Sequence, residues 1–408
     1  MNKRKAFFNK LKKEKYTILL PNMLPIHFRF LSKAFNLVGY KTELLETEGR
    51  QIKDEGLKNI HNDACYPALI VTGQYIDALN SGKYDLNKTA VLITQTGGGC
   101  RASNYYFLIK KALEKQFPQV PVITLNVSGL EKDFSIPIGF KMAKNMLCSV
   151  LYGDLIMLLY NQTKPYETYK NQADEIQEKC FDNLLTKMDK GKGFLRLKKN
   201  YQYIINEFSL IKIPQKRKPR VGIVGEIFVK YSSLANNHLV DFLVSEQTEV
   251  ELPSLTEFLL YCLSNNNVDY KLYKHHKFTH MFVSLAYKFL YKMSINLNKS
   301  LKGSQFYTYE DFENVKKACQ GIISRGVKMG EGWLIPAEMV AMAKRGVKNI
   351  VCAQPFGCLP NHIVGKGMIR PIKNMFPDVN IAAIDYDPGA TKVNQENRIK
   401  LMLANIEQ

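Results

Sequence analysis

The sequence predicts an α/β protein built from two doubly wound, Rossmann-like (flavodoxin-like) parallel-sheet lobes with a helical connecting region. Two observations carry this. Short apolar runs of strand length recur along both halves, each separated from the next by a stretch with helical spacing, which is the pattern of a parallel sheet covered on both faces. The pattern also stops near Phe140 and restarts at Arg220. A chain of 408 residues, 46% hydrophobic, is long enough for more than one core. The division expected is an N-terminal lobe over residues 1–150, a helical connector over 151–214 and a C-terminal lobe over 215–408.

In the first half the strands are read at Tyr16–Leu20, Thr42–Leu45, Thr89–Thr94 and Val120–Leu125. Helices are read at His27–Leu37, Pro67–Asn80, with proline in its first turn, and Asn104–Lys115. Phe140–Phe208 is mostly helical. The segment Ile211–Arg220 (IKIPQKRKPR) is basic and twice interrupted by proline, so it reads as a solvated linker. The second half repeats the logic with strands at Arg220–Val224, Glu249–Leu252, Asn349–Ala353 and Asn380–Ile384. Its helices are expected at Asn237–Ser245, Leu255–Ser264, Met281–Met293, Tyr309–Ser324, Gly332–Arg345, His362–Met375 and Lys392–Ala404.

The net charge of +20 comes from 57 Lys and Arg against 37 Asp and Glu. The basic residues are mostly lysines spread along the chain, whereas phosphate recognition leans on arginine forks, so nucleic acid is not expected as the main partner. The basic N-terminus has no apolar core of signal-peptide length. Apolar stretches such as Met281–Tyr287 fall short of a membrane span, so no membrane is expected. A cytoplasmic protein with reduced thiols is expected.

Ligands of open parallel sheets bind beyond the carboxyl ends of the strands. Two strand-to-helix turns there deliver a cysteine: Cys100 after Gly97, Gly98 and Gly99, and Cys358 after Pro355-Phe356-Gly357. Cys65 directly precedes a helix, a position that lowers a thiol pKa. The other five cysteines, Cys148, Cys180, Cys262, Cys319 and Cys352, fall inside helical or strand patterns and read as core fillers. No C-x-x-C pair, phosphate loop or H-E-x-x-H occurs. Three thiolates from separate loops suit an iron–sulfur cluster with one iron open, and a structural role for the same three remains the alternative. His362 opens a helix four residues after Cys358.

Several blocks resemble the acyl-CoA dehydratase activase-related family. They are Gln354-Pro355-Phe356-Gly357-Cys358-Leu359-Pro360-Asn361-His362 with Gly365-Lys366-Gly367, Ala382 through Gly389 with Asn394-Gln395, and Gly225-Glu226-Ile227-Phe228 with Asn236-Asn237. Gly330-Glu331-Gly332-Trp333, Asp63 through Pro67 and Gly97 through Arg101 fit the same pattern. The family is similar to 2-hydroxyacyl-CoA dehydratases, including 2-hydroxyglutaryl-CoA dehydratase, to benzoyl-CoA reductases and to double-cubane cluster proteins. The resemblance implies Cys65, Cys100 and Cys358 as cluster ligands. It implies a separate ATP-dependent iron–sulfur activator as electron donor, and a CoA ester or other small molecule as substrate. Gly99 stands where the family has proline, and Ala102-Ser103-Asn104 differ from its usual run, so the substrate pocket is expected to differ.

The reading is then an iron–sulfur redox protein acting as a lyase or reductase component. A 4Fe–4S cluster is preferred and an 8Fe–9S double cubane is the alternative. Gly97, Gly98, Gly99, Arg101, Gln354 and Asn361 are expected around the cluster, and Glu226, Glu331 and His362 are expected to handle protons. The alternative function is a non-catalytic accessory or electron-relay subunit that binds an activator or dehydratase. A homodimer or heterodimer is compatible with either.

Overall fold

The computed structural model describes residues 3–61, 63–95, 99–126, 134–274 and 277–404. Gly97 and Gly98 lie outside the described residues. All eight expected strands form: β1 (Thr17–Leu20), β2 (Lys41–Leu44), β3 (Thr89–Gln95), β4 (Val122–Asn126), β5 (Arg220–Gly225), β6 (Glu249–Glu251), β7 (Asn349–Pro355) and β8 (Asn380–Tyr386). They make two four-stranded sheets, each wholly parallel, in the orders β2-β1-β3-β4 and β6-β5-β7-β8. The two orders are the same topology used twice, although the sequence contains no evident repeat. Central strands are apolar throughout because helices cover both faces. Ile18, Leu19, Val91, Ile223 and Val351 are fully buried.

In each lobe the chain turns opposite ways after the first and third strands, which opens a crevice at their carboxyl ends. Glu226 follows β5 and the Cys358 turn follows β7. The Cys100 turn follows β3. Chain topology therefore places both cysteine turns at equivalent positions of the two lobes. The main apolar core is continuous between the lobes, running from Leu19, Ile70 and Val91 to Val221, Val229 and Val351.

The connector holds three long helices, Phe140–Thr163, Gln172–Asp189 and Leu197–Phe208. They share a core with Leu297, Leu301 and Phe306 from the second half. One expectation is corrected here. The stretch Phe140–Tyr166 is long and apolar enough to cross a membrane: an 18-residue window in it has mean hydropathy 1.4, and 78% of that window is buried inside the protein. Its apolarity is that of a helix surrounded by other helices. At its middle, Asp154 accepts hydrogen bonds from Leu255 N (2.8 Å) and Thr256 N (3.0 Å) and lies 2.9 Å from His27 Nε2. This wholly buried carboxylate ties three helices together.

Ile211–Arg220 is exposed at Lys212, Pro214, Gln215, Lys216 and Pro219, as a solvated linker would be, but it is pinned at three points. Ile211 is fully buried, and Arg217 pairs with Glu249 (3.1 Å) and donates to the Gln305 carbonyl. Arg220 and Arg345 share Glu251. The two arginines of the run are paired with carboxylates of β6 that are adjacent only in space.

Helix ends shift where local residues compete. The helix from Leu255 continues to Tyr273, and the one expected over Tyr309–Ser324 contracts to Phe312–Ala318. The expected His362–Met375 helix is broken into Leu359–Val364, a 3-10 turn Lys366–Met368 and Ile369–Met375. Gly365 and Gly367 weaken it, and Pro371 lacks the N–H a continuous helix needs. Helices Lys3–Lys13 and Arg50–Asn59 also form, the first burying Phe8 and Leu11.

Candidate metal centre

Cys65 is the residue just before helix Tyr66–Asn80, and Cys358 holds the same position before Leu359–Val364. Cys100 precedes a 3-10 turn, Arg101–Asn104. Main-chain contacts draw these turns together across the two lobes. Tyr66 N donates to the Phe356 carbonyl at 2.9 Å. Arg101 Nη1 donates to the Gly357 carbonyl at 3.0 Å. Gly357 has φ +73°, and a Cβ there would stand 2.9 Å from the Ala64 carbonyl and 3.2 Å from Cys65 Cα. Only glycine allows this left-handed turn to press on the Cys65 segment. The N–H of Gly330, from the second lobe, donates toward the Cys100 sulfur together with that of Ala102.

The centre is largely buried and lined with acidic groups. Burial pushes the Cys65 thiol up to about 11, against the pull of the Tyr105 hydroxyl 2.8 Å away. This corrects the expectation that a helix start would lower it: desolvation outweighs the helix end. Burial raises Cys100 and Cys358 as well, and Glu331 and Glu226 add repulsion at both.

Glu226 caps the short helix Ile227–Tyr231 by accepting from Val229 N at 2.9 Å. Glu331 accepts from Ile227 N at 3.0 Å, so the two carboxyls flank one chain start. Desolvation, then repulsion from Glu331, pushes the Glu226 carboxyl up to about 8, and desolvation raises Glu331. Behind them Lys230 pairs with Glu338 at 3.0 Å, both almost wholly buried, and Glu257 stands beside Glu338. One lysine stands among four carboxyls in this buried wall, and burial raises all four.

Gln354 is fully buried. Its amide nitrogen contacts His362 Nδ1, while its Oε1 has no partner among the described residues. His362 itself is exposed. Asn361 is spent on β7: its Nδ2 donates to the Ala353 carbonyl (3.2 Å), and its Oδ1 faces the Cys352 thiol (3.7 Å). It braces the Cys358 turn from behind. Cys148, Cys180, Cys319 and Cys352 are buried as expected, but Cys262 is exposed, because its side of helix Leu255–Tyr273 is not covered.

Two residues escaped sequence reasoning. Tyr105 reaches Cys65 only through the fold. Gln95 ends β3 as Gln354 nearly ends β7. Its Nε2 donates to the Ser103 carbonyl just past Cys100, and its buried Oε1 is likewise unpartnered. A glutamine four or five residues before each turn cysteine was a readable signal, since each strand-end amide pins the turn that follows.

The fold and these loops define a two-lobed α/β protein with three thiols on adjoining turns and two buried carboxyls, Glu226 and Glu331, at the seam. No family model matches the chain, and no curated protein matches it.

Proposed function

We propose that this chain is an iron–sulfur redox protein that receives low-potential electrons from a separate ATP-dependent activator and acts on a CoA thioester or another small molecule. What supports this reading is that the turns bearing Cys65, Cys100 and Cys358 are pinned to one another across the two lobes by Tyr66 N on the Phe356 carbonyl, Arg101 on the Gly357 carbonyl and the close approach of Gly357 to Cys65. Among the described residues, no three His, Cys, Asp or Glu side chains are grouped to share a single metal ion. A cubane spreads its thiolates over separate corners, so thiols on separate turns suit it better than one ion. The donor set also fits, since three sulfurs leave one iron without a thiolate.

When bound, such a cluster supplies one-electron chemistry and an open iron that polarises an oxygen. The protein supplies the rest. Cys65, Cys100 and Cys358 would hold the irons, and the backbone N–H groups of Ala68, Ala102, Gly330 and Asn361, which favour the thiolate forms of these cysteines, would stabilise the charge on their sulfurs. Arg101 locks the Cys358 turn against the first lobe. Glu226, pushed up to about 8, and Glu331, raised by burial, are the carboxyls placed to carry protons to and from the substrate.

Phe356, Leu359 and Ile363 are exposed around Cys358. This apolar rim favours a protein docking beside the centre and supports the relay subunit as the second reading.

Oxygen-free purification followed by iron and acid-labile sulfide analysis tests the proposal. About four irons per chain are expected for one cubane and about eight for a double cubane. Cys358→Ser should lose most of the iron while Cys180→Ala keeps it. Trace iron after reconstitution overturns the reading. A loaded cluster with no thioester turnover, given activator and ATP, selects the relay.

A further inference from the structure

The hairpin formed by helices Leu255–Tyr273 and Lys277–Ser300 takes no part in the centre's chemistry as argued above. Its second helix buries one side, through Tyr287, Leu290 and Leu297. The opposite side carries Phe278, Phe282, Leu285 and Phe289, which are 79%, 66%, 58% and 58% exposed. Their spacing of four, three and four residues keeps them in one stripe about three turns long. Leu272 and Tyr273, at the end of the first helix, are exposed in the same way. Large side chains this open, in one row, mark a surface that meets something apolar.

Charge says what. Residues 270–309 contain seven lysines and no carboxylate. Asp269, the acid just before them, is occupied by Lys328 at 2.6 Å. Lys288 and Lys292 flank Leu285 and Phe289 on the exposed side, one helical turn apart. A second copy docking on this face would set lysine against lysine. An anionic bilayer instead offers an apolar layer for the phenylalanines and phosphates for the lysines, whose stems reach outward from a sunken helix. The net charge of +20 favours the same surface at longer range.

We propose that this hairpin is a docking surface for the face of an anionic lipid bilayer, on which the chain lies peripherally. The inference is independent of the iron–sulfur reading.

The test is sedimentation of the full chain with vesicles of phosphatidylcholine alone and of phosphatidylcholine with phosphatidylserine. Binding is expected only to the second, weakening as salt rises. Phe278→Glu combined with Phe282→Glu should lower affinity by about tenfold or more, because it removes two apolar anchors. Lys288→Glu with Lys292→Glu should abolish the phosphatidylserine preference. Both double variants should keep the thermal midpoint, since the altered side chains are exposed. Absence of binding, or binding unchanged in the phenylalanine variant, overturns the proposal. So does a lipid-free dimer that Phe282→Glu dissolves, which would assign the stripe to a second copy.

Discussion

At the residue scale, Glu226 makes the clearest claim. Its carboxyl, ordinarily near 4.5, is held at about 8 by desolvation and by Glu331. The folded protein therefore binds a proton that the unfolded chain has released between these values. The stability from that proton is fully present below pH 4.5 and is lost as pH rises through 8. Glu226→Gln keeps an acceptor for Val229 N and removes the charge. A thermal melt series from pH 5 to 9 should show the wild-type midpoint falling by a few degrees and the variant's staying flatter. Cys65 illustrates why position in sequence is a poor guide to a thiol's state. The helix start is where it was expected, and burial still decides the direction.

At the element scale, the turn after β7 is the most constrained piece. Gly357→Ala forces a side chain into a left-handed conformation, costing about 1–2 kcal/mol. It also pushes on Ala64 and Cys65. The expected result is a lower thermal midpoint and iron retention well below wild type after gel filtration. The helix Leu255–Tyr273 depends on a residue 101 positions away, because Asp154 satisfies its first N–H groups. Asp154→Ala leaves those amides and His27 without partners in a dry site. A loss of about 3 kcal/mol, read from the urea midpoint, is expected.

At the scale of the whole molecule, the three turns belong to two lobes, and a bound cluster would bolt those lobes together. Iron loading should then raise the thermal midpoint, and a chelator under reducing conditions should return it to the metal-free value. A midpoint indifferent to loading would mean that iron binds elsewhere. Arg217, Arg220 and Arg345 are paired with Glu249 and Glu251, so the net charge of +20 is carried by other, mostly lysine, residues.

The sequence by itself determined the eight strands and the parallel class, because a strand buried on both faces must be apolar along its length. It also singled out Cys100 and Cys358, because turns after strands are where a parallel sheet exposes chemistry, and Cys65 by its place just before a helix. The tertiary structure decided everything that depends on residues distant in sequence. It anchored the basic 211–220 segment at Ile211, Arg217 and Arg220 and made the apolar Phe140–Tyr166 stretch a core helix. It broke the helix after Cys358 and left Cys262 uncovered. It brought Tyr105 to Cys65 and set two carboxyls beside the thiols. Local pattern records how each segment is buried, but which partner buries it is set only when the lobes close on each other.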